Sequence, residues 1–372
     1  MNIVICGAGV IGGALAYELS SRGTDVTVIE RWKVGGCASG KSGGFLARDW
    51  CDGTPVAPLA QRSFNLHEQW AEALGNPYGY RKVDTYSGAK SVRRSLGSRG
   101  QNDLAAWLAD DVVHRQQLGT PSTTAQLDPE AFTKALVDGA VKNGAQLKFG
   151  AVSGLLQTDA GTDVQGVTLE DGTRIEGDAV VLALGPWSLL AAQWLPLPPI
   201  YGLKGHSVIF KPKVALPPET IFAEFEDTDG EHLAPEIVPR ANGTLYVCGL
   251  SGDDALPVDP ARVLPEDGGC ERLRRVSMSL VPQLADADVI AEQACFRPVT
   301  ADGMPIVGAI DGYDHAYVAT GHSVWGMLNA PGTAEALADL ILTGETKQVD
   351  LSPFSPSRLA ALDPSQLELR AS

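Results

Sequence analysis

Ile3-Val4-Ile5-Cys6-Gly7-Ala8-Gly9-Val10-Ile11-Gly12 opens the chain with an apolar run and a GxGxxG turn. A helical pattern follows through Ala14-Leu15-Ala16-Tyr17-Glu18-Leu19 and closes at Arg22-Gly23, and a second apolar run, Val26-Thr27-Val28-Ile29, ends on Glu30. Strand, glycine turn, helix, strand and acid in this order form a dinucleotide-binding βαβ unit. Gly7 allows the tight turn, Gly9 lets backbone approach a pyrophosphate, and Gly12 lets helix pack on strand. The helix N-terminus, at Val10 and Ile11, offers amide groups and a positive dipole end to phosphates. Glu30 is placed to accept from ribose hydroxyls. A carboxylate there disfavours a 2′-phosphate, and Arg31 beside it keeps that option open.

The rest of the composition narrows the class. The chain has 372 residues, 44% hydrophobic and 20% charged, the balance of a soluble globular protein. A net charge of −16 argues against nucleic acid, which demands a cationic surface, and against anionic membranes. No apolar stretch is long enough to span a bilayer. The strand beginning beside Met1 leaves no room for a leader, so a cytoplasmic location is expected. The six cysteines show no CxxC spacing, so neither a disulfide framework nor a metal site is expected.

Ala38-Ser39-Gly40-Lys41-Ser42-Gly43-Gly44-Phe45-Leu46 is a second loop of small residues soon after the ribose acid. It suits FAD, whose pyrophosphate and ribityl chain run past such a loop. Leu127-Asp128-Pro129 opens a helix running to Asn143, with Asp128 as N-cap, and the strand 144–149 and Val152 follow. Val164 to Ile175 reads as a hairpin, and Ala179 to Gly185 as a buried strand before Pro186-Trp187-Ser188 opens a helix. Phe296-Arg297-Pro298-Val299-Thr300-Ala301-Asp302-Gly303-Met304-Pro305-Ile306-Val307-Gly308 and Gly321-His322-Ser323-Val324-Trp325-Gly326 complete the set, the latter leading into an apolar helix from about Ala330 to Leu342.

In these segments and their order the chain resembles the D-amino-acid oxidase family, on its glycine oxidase and sarcosine oxidase side. The resemblance implies an α/β protein: a Rossmann-like FAD-binding domain with a second, mixed or antiparallel-sheet substrate domain. It implies FAD held along Gly7, Gly9, Val10, Ile11, Gly12, Glu30, Arg31, Ser39, Lys41, Ser42, Gly43, Gly44, Val152, Gly185, Trp187, Gly321, His322, Ser323, Trp325 and Gly326. It implies oxidation of the C–N bond of a small amine or amino acid, with dioxygen or another electron acceptor. A flavoprotein serving trafficking or regulation is the non-enzymatic alternative.

The FAD domain is expected from residues 1–85, 126–198 and 296–350, and the substrate domain from 86–125 and 199–295. Within the latter, 87–101 reads as a polar stretch, and runs at 206–210, 221–225, 237–238 and 245–250 as antiparallel strands, with a helix near 260–280. Residues 351–372 read as a mobile tail.

For chemistry, the family's arginine in the matching segment makes Arg297 the substrate-carboxylate anchor; otherwise it is structural, stacking beneath the flavin or paired with Glu292 or Asp302. Glu236 stands where several amino-acid oxidases carry a carboxylate-binding tyrosine, a departure that shifts preference toward amines or cationic substrates unless the residue faces solvent. His322 and His206 are pocket candidates, each with a structural alternative. Cys295 has a spacing similar to the flavinylated cysteine of monomeric sarcosine oxidases, so a covalent link is possible, against an inert buried thiol with noncovalent FAD.

Overall fold

The computed structural model describes residues 1–97, 105–158 and 161–367. The end of the polar stretch at Gln101 and the last residues of the tail lie outside them.

The βαβ unit forms as the sequence predicts. β1 (Asn2–Cys6), α1 (Val10–Ser21) and β2 (Asp25–Glu30) join β8 (Gln146–Phe149), β12 (Ala179–Leu182), β19 (Ile306–Ala309) and β20 (Ala316–Thr320). The sheet order is β19-β20-β12-β1-β2-β8, parallel except at β19. Ile3 and Ile5 of β1 join the core beneath α1, while Val4 and Cys6 face the opposite core. A central strand buried on both faces requires such an uninterrupted apolar run. That second face is covered by a meander of β9 (Val152–Gln157), β10 (Val164–Leu169) and β11 (Arg174–Glu176). A small sheet of β3 (Phe45–Ala47), β7 (Thr124–Gln126) and β4 (Arg81–Lys82) follows the second glycine loop.

The larger sheet is mixed. β5 (Asp84–Ser91), β6 (Val113–Gly119), β13 (Tyr201–Lys211), β14 (Glu219–Glu226), β15 (His232–Leu233), β16 (Glu236–Pro239), β17 (Leu245–Gly252) and β18 (Asp288–Val299) run in the order β18-β13-β17-β16-β14-β5-β6, with β15 on β14. Three details differ from the sequence reading. Ser87–Ser91 belongs to β5, whose small polar residues conceal an interior strand paired in parallel with β14. β18 runs through the expected boundary at 296, so Arg297 stands in the larger sheet opposite Leu203. The helix expected over 260–280 is a 3-10 turn at Pro260–Arg262 followed by α5 (Gly269–Leu280).

The remaining helices are α2 (Ala38–Lys41), α3 (Ala57–Leu74), α4 (Pro129–Lys142) and α6 (Gly326–Thr343). Asp128 caps α4 by accepting from the Ala131 amide at 3.1 Å, whereas the helix expected after Gly185 is a 3-10 turn, Gly185–Gln193. α6 starts a turn earlier than predicted, because it tolerates Pro331. Proline has no N–H to give the Met327 carbonyl. α3 supplies the missing group: His67 Nε2 lies 3.0 Å from Met327 O and 3.1 Å from Leu328 O. Ser63 Oγ in turn accepts from the Gly332 amide at 3.0 Å. Burial holds His67 down to a pKa of about 4, so it stays neutral, with Nε2–H as the donor.

The segment read as a mobile tail packs on the body over its first part. Phe354 is fully buried, and Arg358 forks onto Asp302 at 2.7 and 3.0 Å.

Candidate functional site

A cleft of about 570 Å³ runs from the glycine turn at α1 to the N-terminus of α6, between the two sheets. Its α1 end is built by contiguous sequence. Gly7 has φ +108°, and a Cβ on Gly12 would collide with the Gly7 carbonyl, so both glycines are demanded by the strand-to-helix turn. Glu30 Oε2 accepts from the Ala8 amide at 2.8 Å and Oε1 from the Trp32 amide at 2.9 Å. This fixes the carboxylate beside the turn, with lone pairs left for hydroxyl donors. Ser39 Oγ accepts from the Val10 amide at 2.9 Å, tying the second loop to the α1 N-terminus. Gly9, Val10, Ile11, Arg31, Ser42, Gly43, Gly44 and Val152 line the same stretch. Gly12 lies behind it. Arg31 is turned partly to Glu170, at 3.0 Å. Lys41 is not in the lining: its Nζ donates to the Ala294 carbonyl at 3.0 Å, and its own carbonyl accepts from Tyr246 Oη at 3.1 Å.

At the other end Gly185, Trp187, His322, Ser323, Trp325 and Gly326 line the cleft. Trp187 Nε1 donates to Pro257 O at 2.8 Å, tying the 253–268 loop across the mouth. Gly321 sits behind the wall at φ +74°, and Ser323 takes φ +49°, an unusual conformation for a residue with a side chain. This turn sets the first turn of α6, which has no side-chain cap, against the cleft. His322 donates to or accepts from Thr333 Oγ1 at 3.0 Å, and burial lowers its pKa to about 3, so the ring is neutral.

The large sheet supplies the floor. Arg297 extends from β18 across Gly205 of β13, where a Cβ would lie 3.8 Å from its Nη2. Its Nε is buried without a hydrogen-bond partner among the described residues. The two carboxylates read as structural partners are committed elsewhere, Glu292 to Arg274 and Asp302 to Arg358. Glu236 is not on an edge: β16 lies between β14 and β17, and the side chain lines the cleft. Burial raises it to about 7, against weaker pulls from Cys248, Arg240 and Arg297. His206 also touches the cleft but is saturated, with Nδ1 3.3 Å from Leu250 O and Nε2 accepting from the Glu266 amide at 3.0 Å. That leaves no ring nitrogen for chemistry. Cys295 lines the cleft, and burial pushes its thiol pKa up.

Sequence reasoning missed an aromatic wall of Phe45, Trp50 and Phe222, with ring centroids 4.9–5.0 Å apart, and Trp325 6.1 Å from Trp50. Its signal was weak, because the residues come from a short strand, a loop, β14 and the 321–326 turn. Among the described residues no group of acids, histidines and cysteines is disposed to hold a metal, and no helix is long and apolar enough to cross a membrane.

The cleft suits a dinucleotide that continues past its pyrophosphate into a second ring system. A helix N-terminus and a fixed acid stand at one end, side-chain-free backbone at Gly43 and Gly44 in the middle, and an uncapped helix N-terminus at the other. These features define a flavoprotein oxidoreductase. The chain belongs to the DAO family of FAD-dependent oxidoreductases, matching it over residues 2–340. It is 28% identical to a glycine oxidase of Pseudomonas aeruginosa, over 96% of this chain and 98% of that protein. A protein of Schizosaccharomyces pombe described as an oxidoreductase is 29% identical, over 95% and 97%. The crystal structure of glycine oxidase from Geobacillus kaustophilus superposes with a TM-score of 0.80 at 26% identity, covering 96% and 98%.

Proposed function

We propose that this FAD enzyme oxidises the C–N bond of a small amino acid or amine, with dioxygen as the acceptor. The observation that carries the reading is the Arg297 guanidinium, which reaches into the cleft over Gly205 with no ion pair to any described residue. A planar fork in a desolvated pocket suits a substrate carboxylate. Gly7 to Gly12, Glu30 and Ser39 to Gly44 would hold the adenosine diphosphate half, and Val152 the adenine side. Gly185, Trp187 and the 321–326 turn would hold the flavin half. Bound FAD supplies the acceptor for the hydride leaving the carbon next to nitrogen. The protein's part is positioning: Arg297 anchors one end of the substrate, the aromatic wall excludes water from the other, and the α6 N-terminus favours negative charge nearby. His322 remains neutral and shapes the turn.

The test is anaerobic bleaching of the flavin band by glycine, N-methylglycine and ethylamine, then readmission of oxygen. Arg297→Lys keeps the charge and loses the fork, costing about 2–3 kcal/mol, roughly 30- to 200-fold in apparent affinity for the amino acids. Ethylamine should be nearly indifferent. Equal losses for all three would sink the anchor role. Flavin that stays reduced in air would replace dioxygen by another acceptor.

A further inference from the structure

We propose that Glu236 is the general base of this site, taking a proton from the substrate's ammonium nitrogen before hydride leaves the adjacent carbon. The inference rests on the amine-oxidation reading above and adds a catalytic group to it.

The geometry isolates this carboxyl. On the interior strand β16, Glu236 stands opposite Phe222 on one side and Cys248 on the other. Oε1 lies close against the second glycine loop, where a Cβ on Gly43 would come within 2.6 Å. Among the described residues Oε2 accepts only the weak Cys248 thiol, at 3.7 Å. No cation among the described residues lies within ion-pair distance of it. Arg240, on the same hairpin, is engaged by Ser42 O at 2.8 Å and Asp128 at 3.7 Å, and stacks on Tyr246. Phe222, with Phe45 and Trp50 packed against it, makes the neighbouring wall apolar. The carboxyl is half-buried and lines the cleft, so it is open to a group bound there and not committed to a structural partner.

The titratable groups around it are Cys248 and Tyr246 on β17, Arg240 at the end of the hairpin and Arg297 from β18, while Phe222 and Gly43 carry no charge. Burial of this carboxyl outweighs the two arginines and raises its proton affinity to about neutrality, as a base working near pH 7 requires. In the step, one N–H bond of the ammonium breaks and leaves its electron pair on nitrogen. The proton forms an O–H bond on Glu236, and no electron leaves the substrate. The freed lone pair then forms the C=N bond as the hydride goes to FAD.

Two measurements on the flavin-loaded enzyme test this. 2-Methylalanine has an ammonium group but no hydrogen on its α-carbon, so it binds without being oxidised. At pH 8 its binding should produce the infrared C=O band of a protonated carboxylic acid, absent in Glu236→Gln. In stopped-flow reduction, Glu236→Gln should lower the limiting rate with ethylamine by about 100-fold or more. Trifluoroethylamine, already neutral at this pH, should lose less than about threefold. Wild-type reduction by ethylamine should also rise with pH and level off just above 7, a break that the variant lacks.

If no acid band appears and the variant weakens binding while leaving the limiting rate intact, Glu236 is a fixed counter-ion and the proposal is overturned, with amine oxidation standing. If no member of the panel reduces wild-type flavin, both readings fall. Should Glu236→Gln fail to take up FAD, the wild-type infrared band and the same rates in Glu236→Asp decide the matter.

Discussion

The α1 end of the cleft is walled mainly by residues 7–44, whereas the α6 end draws its walls from β14, β16, β17, β18 and the 321–326 turn. At the first end most constraints lie within the βαβ unit: the Gly7 carbonyl forbids a Cβ at Gly12, and Glu30 accepts from the Ala8 and Trp32 amides. At the second, what lines the cleft depends on register. Glu236 faces the cleft because it pairs with Cys248 and Phe222, and a slip of one residue would turn it to the opposite face. One end is constrained by close backbone contacts, while the other is constrained by which side chains the strand alignment brings to the cleft.

The largest expected effect therefore lies at the α1 end. Gly12→Ala would force its methyl into the Gly7 carbonyl and should leave protein with no bound flavin. The Cβ of Gly9→Val meets only Ser39 Oγ among the described residues, at 3.1 Å, so the variant should stay folded and still lose FAD. Flavin content together with circular dichroism separates the two, and a yellow Gly12→Ala protein would contradict the local account.

At the floor the expected effect is smaller and depends on pH. Glu236 has a folded pKa raised from 4.5 to about 7. Its ionisation therefore destabilises the fold as pH rises through that interval and adds nothing at lower pH. Glu236→Gln should stabilise the protein by about 2 kcal/mol at pH 8 and by almost nothing at pH 4. Thermal unfolding of the flavin-loaded proteins at both pH values is the check. A stabilisation that does not change with pH would place the carboxyl in solvent.

Outside the cleft lining, the Asp302–Arg358 fork fixes the C-terminal segment to the 297–303 turn. Asp302 is lowered from 3.8 to about 2, mainly by the Arg358 hydrogen bond, so its contribution is present above pH 4 and fades as pH falls through 2. Asp302→Asn should cost about 1 kcal/mol at pH 7 and progressively less as pH falls toward and below 2, measured by denaturant midpoints. The smallest effect is expected at Cys295. Because burial disfavours its thiolate, acid precipitation should leave all flavin in the supernatant, in Cys295→Ser and wild type alike. Flavin retained on the wild-type polypeptide alone would reverse that conclusion.

These contrasts account for what was legible in the sequence. Gly7–Gly12 and Glu30 lie within one βαβ unit, and Asp128 caps the helix that it opens, so their spacing marked them in the sequence. Arg297 was found by family likeness, but its reach across Gly205 depends on pairing with β13. The wall of Phe45, Trp50 and Phe222 joins residues about 170 positions apart, and no local period marks it. His206 misled for the opposite reason. A histidine opening a strand looks available until the 253–268 loop brings the Glu266 amide to its free nitrogen.

The repair of Pro331 has a consequence for how the molecule opens. Met327 O and the Gly332 amide are satisfied by α3, so the first turn of α6 cannot fray without leaving those groups bare. His67 and Met327 are 260 residues apart. Amide hydrogens of α3 and of the α6 first turn should therefore exchange together, as one cooperative unit joining the early and late parts of the chain.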